Sequence, residues 1–209
     1  MGQGHVNQCH AGLHAVCHRP ESLMSLNKQN VFLIGPMGSG KTSIGKQLAK
    51  LLKLEFFDCD HELEDQTGAS INLIFDVEGE AGFRERETRM LEFLTAKSGI
   101  LLSTGGGAVC FEKNRELLQA RGFVVYLKTS VANQIKRLSH DKSRPLLQAN
   151  DRVQRLNDLA QTRNPLYDSI ADLVYTTRNQ GLQITANELF SAISQKMDPL
   201  TTSEPHAHS

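Results

Sequence analysis

The chain has 209 residues, 39% apolar and 22% charged, which suits one globular domain and excludes a wholly disordered chain. Lys plus Arg and Asp plus Glu both number 23, so no global field draws the molecule to nucleic acid or a membrane, and any anion must be met locally. The longest apolar runs, 31–34 and 99–102, fall far short of a membrane span, residues 1–24 lack the pattern of a signal peptide, and four scattered cysteines make no disulfide framework. A cytoplasmic protein is expected.

Residues 2–27 have no apolar period but carry Cys9, His10, His14, Cys17 and His18. That spacing matches no familiar zinc pattern, so residues 1–25 read as a disordered or non-native extension, with Met24 available as a start. A single domain is expected over 26–197, followed by a polar tail over 198–209.

Residues 30–34 predict a buried strand running straight into the glycine-rich turn Gly35-Pro36-Met37-Gly38-Ser39-Gly40. Ile44, Leu48, Leu51 and Leu52 recur at helical spacing, which predicts a helix over 41–52. A second strand is expected over 55–57, ending at Asp58-Cys59-Asp60. Helices follow over 71–75 and 82–95, then a third strand over 99–102 that ends in Ser103-Thr104-Gly105-Gly106-Gly107. Residues 115–120 predict a helix stopped by Gly122 as an ordinary cap, and 123–127 a fourth strand. Further helices fit 131–138, 153–162 and 185–197, with a last strand near 173–176. Alternating strands and helices imply an α/β fold whose parallel sheet is covered on both faces, with binding loops at the carboxyl ends of the strands.

Gly35-x-x-x-x-Gly40-Lys41-Thr42 fits a phosphate-binding loop, the P-loop, between a strand and a helix. Its glycines let backbone N–H groups point at nucleotide phosphates, and the helix adds its positive dipole end. Gly38, Ser39, Gly40, Lys41, Thr42 and Ser43 are the expected ATP contacts. Lys41 reaches the β and γ phosphates, and the Thr42 hydroxyl serves Mg²⁺. A GTPase reading could use Asp76-Val77-Glu78-Gly79, but Asn27-Lys28 precedes the P-loop and no guanine-reading element follows it. That D-x-x-G string reads better as a helix-ending turn.

From Asp58 onward the sequence resembles the shikimate kinases, and the resemblance extends over about 26–197. It is carried by the P-loop together with Asp58-Cys59-Asp60, Gly82-Phe83-Arg84-Glu85-Arg86-Glu87, the triple glycine, Arg144-Pro145-Leu146-Leu147 and Arg163-Asn164-Pro165-Leu166-Tyr167. The resemblance implies a P-loop kinase fold: a five-stranded parallel sheet flanked by helices, a helical substrate-binding insertion over about 58–95 and a mobile lid over about 139–151. It implies ATP and shikimate as substrates, one Mg²⁺ ion, and a monomer that engages neither nucleic acid nor membrane. Arg84 and Arg163 would clasp the shikimate carboxylate, Gly106 would offer backbone contact to the ring, and Asp60 would bind the hydroxyls and orient or deprotonate the 3-hydroxyl. Asp58 would support the metal indirectly, from behind its ligands or through water.

The same residues make chemical sense alone. A carboxylate is best met by the planar, bidentate fork of arginine. Glu87 lies three residues after Arg84, so on a helix it can hold the guanidinium in position. If the strand continues through Asp58 and Asp60, their side chains share one face; otherwise Asp60, directly before His61-Glu62-Leu63, could cap a helix. The triple glycine admits close approach of substrate to backbone. Arg144, in a polar stretch, suits a lid arginine that stabilises transferring phosphate; the resemblance further aligns Gln180 with the adenine-side loop. Two rivals remain: a gluconate-type small-metabolite kinase, without reason to keep Arg84, Gly106 and Arg163 together, and a silent nucleotide-binding module, against which Lys41, Thr42, Asp60 and Arg144 are all present.

Overall fold

The computed structural model describes residues 30–138 and 152–197. The amino-terminal Cys/His segment, Met24, the lid segment with Arg144, and the carboxyl-terminal tail lie outside the described residues.

The chain runs β1 (Val31–Ile34), α1 (Lys41–Leu52), β2 (Glu55–Asp58), α2 (Cys59–Thr67), α3 (Ile71–Thr95) and β3 (Ile100–Ser103). A 3-10 turn (Ala108–Cys110) leads to α4 (Glu112–Arg121), β4 (Phe123–Lys128), α5 (Val131–Leu138), α6 (Arg152–Ile170), β5 (Leu173–Thr176) and α7 (Leu182–Met197). The five strands pair in parallel in the order β2-β3-β1-β4-β5. Every expected strand forms within a residue of its predicted bounds.

β1 lies at the centre and is apolar throughout because both its faces are covered. Val31 and Leu33 pack beneath α1 and α7 with Leu48, Leu101, Val125, Leu189 and Ile193. Phe32 and Ile34 point to the other face, against Leu63, Phe83, Leu91, Leu94, Tyr126 and Tyr167. All four β1 side chains are at most 1% exposed, so each contributes about 1.5–3 kcal/mol of burial. The register levels the strand ends: Asp58 pairs with Ser103, and Ser103 with Leu33. Thr104 then ties its N–H to the Leu33 carbonyl at 3.1 Å, so the loops after β1, β2 and β3 open at one height.

The two helices expected over 71–75 and 82–95 meet within α3 at a kink at Gly79, whose φ of 70° and ψ of −175° leave the helical region, at the turn read from the D-x-x-G string. Three expectations need correction. The helix expected over 153–162 continues to Ile170, with Pro165 inside it. Gly122 does stop α4, but with extended backbone at φ −169°. It is glycine for space, since a Cβ would lie 2.5 Å from the Phe32 ring and 2.9 Å from the Asn30 carbonyl oxygen. Third, β2 does not continue through Asp60, because α2 begins at Cys59. Among the described residues no helix is long and apolar enough to cross a membrane.

Candidate active site

The phosphate end is built where β1 meets α1. Gly40, at φ 95°, is the N-cap of α1, and no side chain bonds the first N–H groups there, which leaves an anion-binding helix start. Lys41 is buried, and its Nζ donates to the carbonyls of Gly35 at 2.7 Å and Pro36 at 3.0 Å. The ammonium is thereby held over the loop that must receive phosphates. Thr42 and Ser43 follow on the exposed side of the first turn.

Asp58 closes the next corner, and its carboxylate is divided between two duties. Oδ2 accepts from Thr42 Oγ1 at 2.7 Å, while Oδ1 accepts from the Asp60 N–H at 3.2 Å. The helix cap considered for Asp60 therefore belongs to Asp58, the N-cap of α2. Asp60 sits in the first turn with its carboxylate near the triple glycine. The Thr42 hydroxyl and Asp58 carboxylate are hard oxygen donors beside a phosphate site, a set that fits Mg²⁺.

The acceptor end is organised by α3 and the triple glycine. Arg84 is 7% exposed, and its Nη1 donates to Glu87 Oε2 at 2.7 Å, with Glu80 Oε1 at 3.2 Å from Nη2. Burial opposes the cation, but Glu87 and Glu80 more than offset it and hold Arg84 charged above its ordinary range. Glu87 is 1% exposed; burial pushes its carboxyl upward against the pull of Arg84, and Asp60 adds to the rise. Removing one partner of such a buried pair costs about 3–5 kcal/mol, so Arg84 is no solvated surface charge.

The glycines admit these side chains. A Cβ at Gly105 would lie 2.3 Å from Glu87 Oε1 and 3.1 Å from Asp60 Oδ1. At Gly107 it would lie 2.3 Å from Arg84 Nη2. Between them, the Gly106 carbonyl accepts from Arg163 Nη1 at 3.3 Å and from the Tyr167 hydroxyl. Asp60, Arg84, Glu87 and Arg163 thus converge on three consecutive glycines. A cavity of about 560 Å³ joins this loop to the P-loop, lined among others by Gly40, Lys41, Thr42, Asp58, Asp60 and Gly106.

Two features escaped the sequence reading. Arg137, on the last turn of α5, donates to the carbonyls of Gly38 at 3.1 Å, Ser39 at 3.2 Å and Arg178 at 3.2 Å, tying the P-loop to the loop after β5. Its partners are up to 99 residues away, so no local spacing could reveal it. Gln180 sits on that same loop, with its amide donating to Tyr175 at 3.1 Å and Glu188 at 2.9 Å. Tyr167 was visible only as the end of a motif, without a task.

Parallel sheet, P-loop and a cavity running from the P-loop to the triple glycine define a P-loop phosphotransferase for a small acceptor. A family model described as shikimate kinase matches residues 37–194. A shikimate kinase of Histophilus somni is 53% identical over 167 residues, covering 79% of this chain and 95% of the relative. The solved shikimate kinase of Acinetobacter baumannii, in complex with shikimate, superposes with a TM-score of 0.78 at 45% identity, covering 84% of this chain and 98% of its own. A gluconokinase from Sinorhizobium meliloti, at 18% identity and TM-score 0.57, shares the fold. The chain belongs to the shikimate kinase family.

Proposed function

We propose that this chain transfers the γ-phosphoryl group of ATP to the 3-hydroxyl of shikimate, giving ADP and shikimate 3-phosphate. The observation that carries the reading is the meeting of Arg84 and Arg163 on adjacent glycines of a loop that lines the P-loop cavity. Two guanidinium groups beside a phosphate site suit an acceptor that is itself an acid. The relative solved with shikimate bound supports the choice of acid.

In this reading the P-loop N–H groups and Lys41 hold the β and γ phosphates, with Ser43 and Gln180 on the nucleotide side. Arg84 and Arg163 fix the acceptor carboxylate, Glu87 keeps Arg84 aimed, and Gly106 supports the ring. The 3-oxygen attacks phosphorus, the bond to the ADP oxygen breaks, and the hydroxyl proton passes to Asp60. Thr42 and Asp58 would hold Mg²⁺, directly or through water; when bound, the ion neutralises charge between the β and γ phosphates. Arg144 would approach the phosphates from the lid segment and stabilise transferring charge. Catalysis is then mostly positioning and charge neutralisation, since phosphoryl transfer leaves little covalent work to the protein. The working unit is a cytoplasmic monomer with no nucleic acid or membrane partner.

The test is the product. Incubation with ATP, Mg²⁺ and shikimate, read by phosphorus NMR and mass spectrometry, should give one monophosphate ester on the 3-oxygen with equimolar ADP. ADP formed without a phosphorylated acid, or phosphate on another oxygen, contradicts the reading.

A further inference from the structure

The Gly106 carbonyl is where α6 meets the triple glycine, and both its donors come from one face of that helix. Arg163 and Tyr167 are four residues apart, hence neighbours on the helix surface. They differ in how firmly they are held. Tyr167 is wholly buried, and its ring stacks on Tyr126 with centroids 4.9 Å apart and planes at 27°. The Tyr126 hydroxyl in turn donates to Asn164 Oδ1 at 3.1 Å, locking the strand to the same helix. Arg163 is half-buried, and its bond to Gly106 is long at 3.3 Å. Burial pushes the Tyr167 phenol well above its ordinary range, so it remains a protonated donor at any working pH.

A carboxylate placed beside Arg163 is a stronger acceptor than a neutral carbonyl and takes over the guanidinium. Gly106 then keeps one fixed donor, the Tyr167 hydroxyl. That bond orients the peptide between Gly106 and Gly107, and Gly107 is the glycine against which the Arg84 guanidinium lies, with 2.3 Å between a notional Cβ and Nη2. One hydroxyl therefore fixes the segment on which both arginines converge.

We propose that Tyr167 is a positioning residue for the acceptor: its hydroxyl anchors the Gly106 carbonyl and so sets the placement of Arg84 and Arg163 around the acceptor carboxylate. The proposal rests on the carboxylate-fork reading given above, and its test separates the two. Tyr167→Phe keeps the ring and its stack but removes the donor. In the full chain, with shikimate and ATP varied independently, the KM for shikimate should rise on the order of tenfold, the effect of one displaced charge-assisted contact. The KM for ATP and the melting temperature should stay nearly unchanged. Shikimate methyl ester, which offers no carboxylate, should be used as poorly by the variant as by the parent chain. Tyr126→Phe, which loses only the bond to Asn164, should leave the shikimate KM in place. An unmoved shikimate KM in Tyr167→Phe overturns the proposal, as does a proportional loss for both substrates or a variant that does not fold. If the parent chain phosphorylates no shikimate, the carboxylate fork itself falls and the proposal with it; turnover by the parent with an unmoved variant removes only the role of Tyr167.

Discussion

Asp58 and Asp60 stand two residues apart and have separate tasks, because β2 ends at the first and α2 begins between them. Asp60 does not cap α2, so Asp60→Asn should preserve the melting temperature while kcat falls by at least about a hundredfold, as expected for losing the proton acceptor. An unchanged kcat would remove that role. Asp58→Asn asks the opposite question. Asparagine caps a helix as well as aspartate does, so stability should hold, while the concentration of Mg²⁺ needed for half-maximal turnover should rise. A magnesium titration that superposes on the parent curve would take the metal away from Asp58. At Arg84, lysine keeps the charge but not the planar fork, so Arg84→Lys should raise the shikimate KM much more than the ATP KM. Equal losses for both substrates would count against the acceptor site.

The elements explain which of these residues could be read in advance. The P-loop was legible because its chemistry is contiguous, from a buried strand through glycines to a helix that starts on Lys41. The pairing of Arg84 with Glu87 was legible because helical geometry joins residues three apart. The triple glycine was read as room for substrate, whereas its outer members make room for Glu87, Asp60 and Arg84. That crowding depends on α3 being laid across the end of β3, which no local spacing encodes. The same limit hid Arg137 and the second half of α6, which runs on through Pro165 with Tyr167 stacked on Tyr126. Gly105→Ala tests the crowding directly. Its methyl group would meet the buried Glu87 carboxylate, which is locked by Arg84 and cannot retreat cheaply. A loss of about 1–3 kcal/mol in stability is expected, together with a higher shikimate KM. Full activity and stability in that variant would mean that the glycines are set by the substrate after all.

For the whole molecule, the sheet brings the P-loop, Asp58 and the triple glycine to one height above a central strand, which is where the proposed function puts phosphate donor and acid acceptor. The account's central claim is that this pairing selects one acceptor. Residues 2–27 contribute no apolar period to that arrangement, so removing residues 1–23 should leave melting temperature and kcat nearly unchanged. A large loss, reproduced by a zinc chelator on the intact chain, would instead give the Cys/His segment a structural task. The most direct measurement is ADP release with ATP and Mg²⁺ against shikimate, quinate, gluconate and nucleoside monophosphates, compared by kcat/KM. A buried, paired arginine beside a second arginine favours a carboxylate acceptor over nucleotides, which bring a phosphate in its place. The predicted result is the highest kcat/KM with shikimate, and turnover at least about a hundredfold above the nucleoside monophosphates, the discrimination that leaving buried polar partners unmatched can supply. Faster turnover of gluconate or a nucleoside monophosphate, or ADP release that no acceptor accelerates, would contradict it.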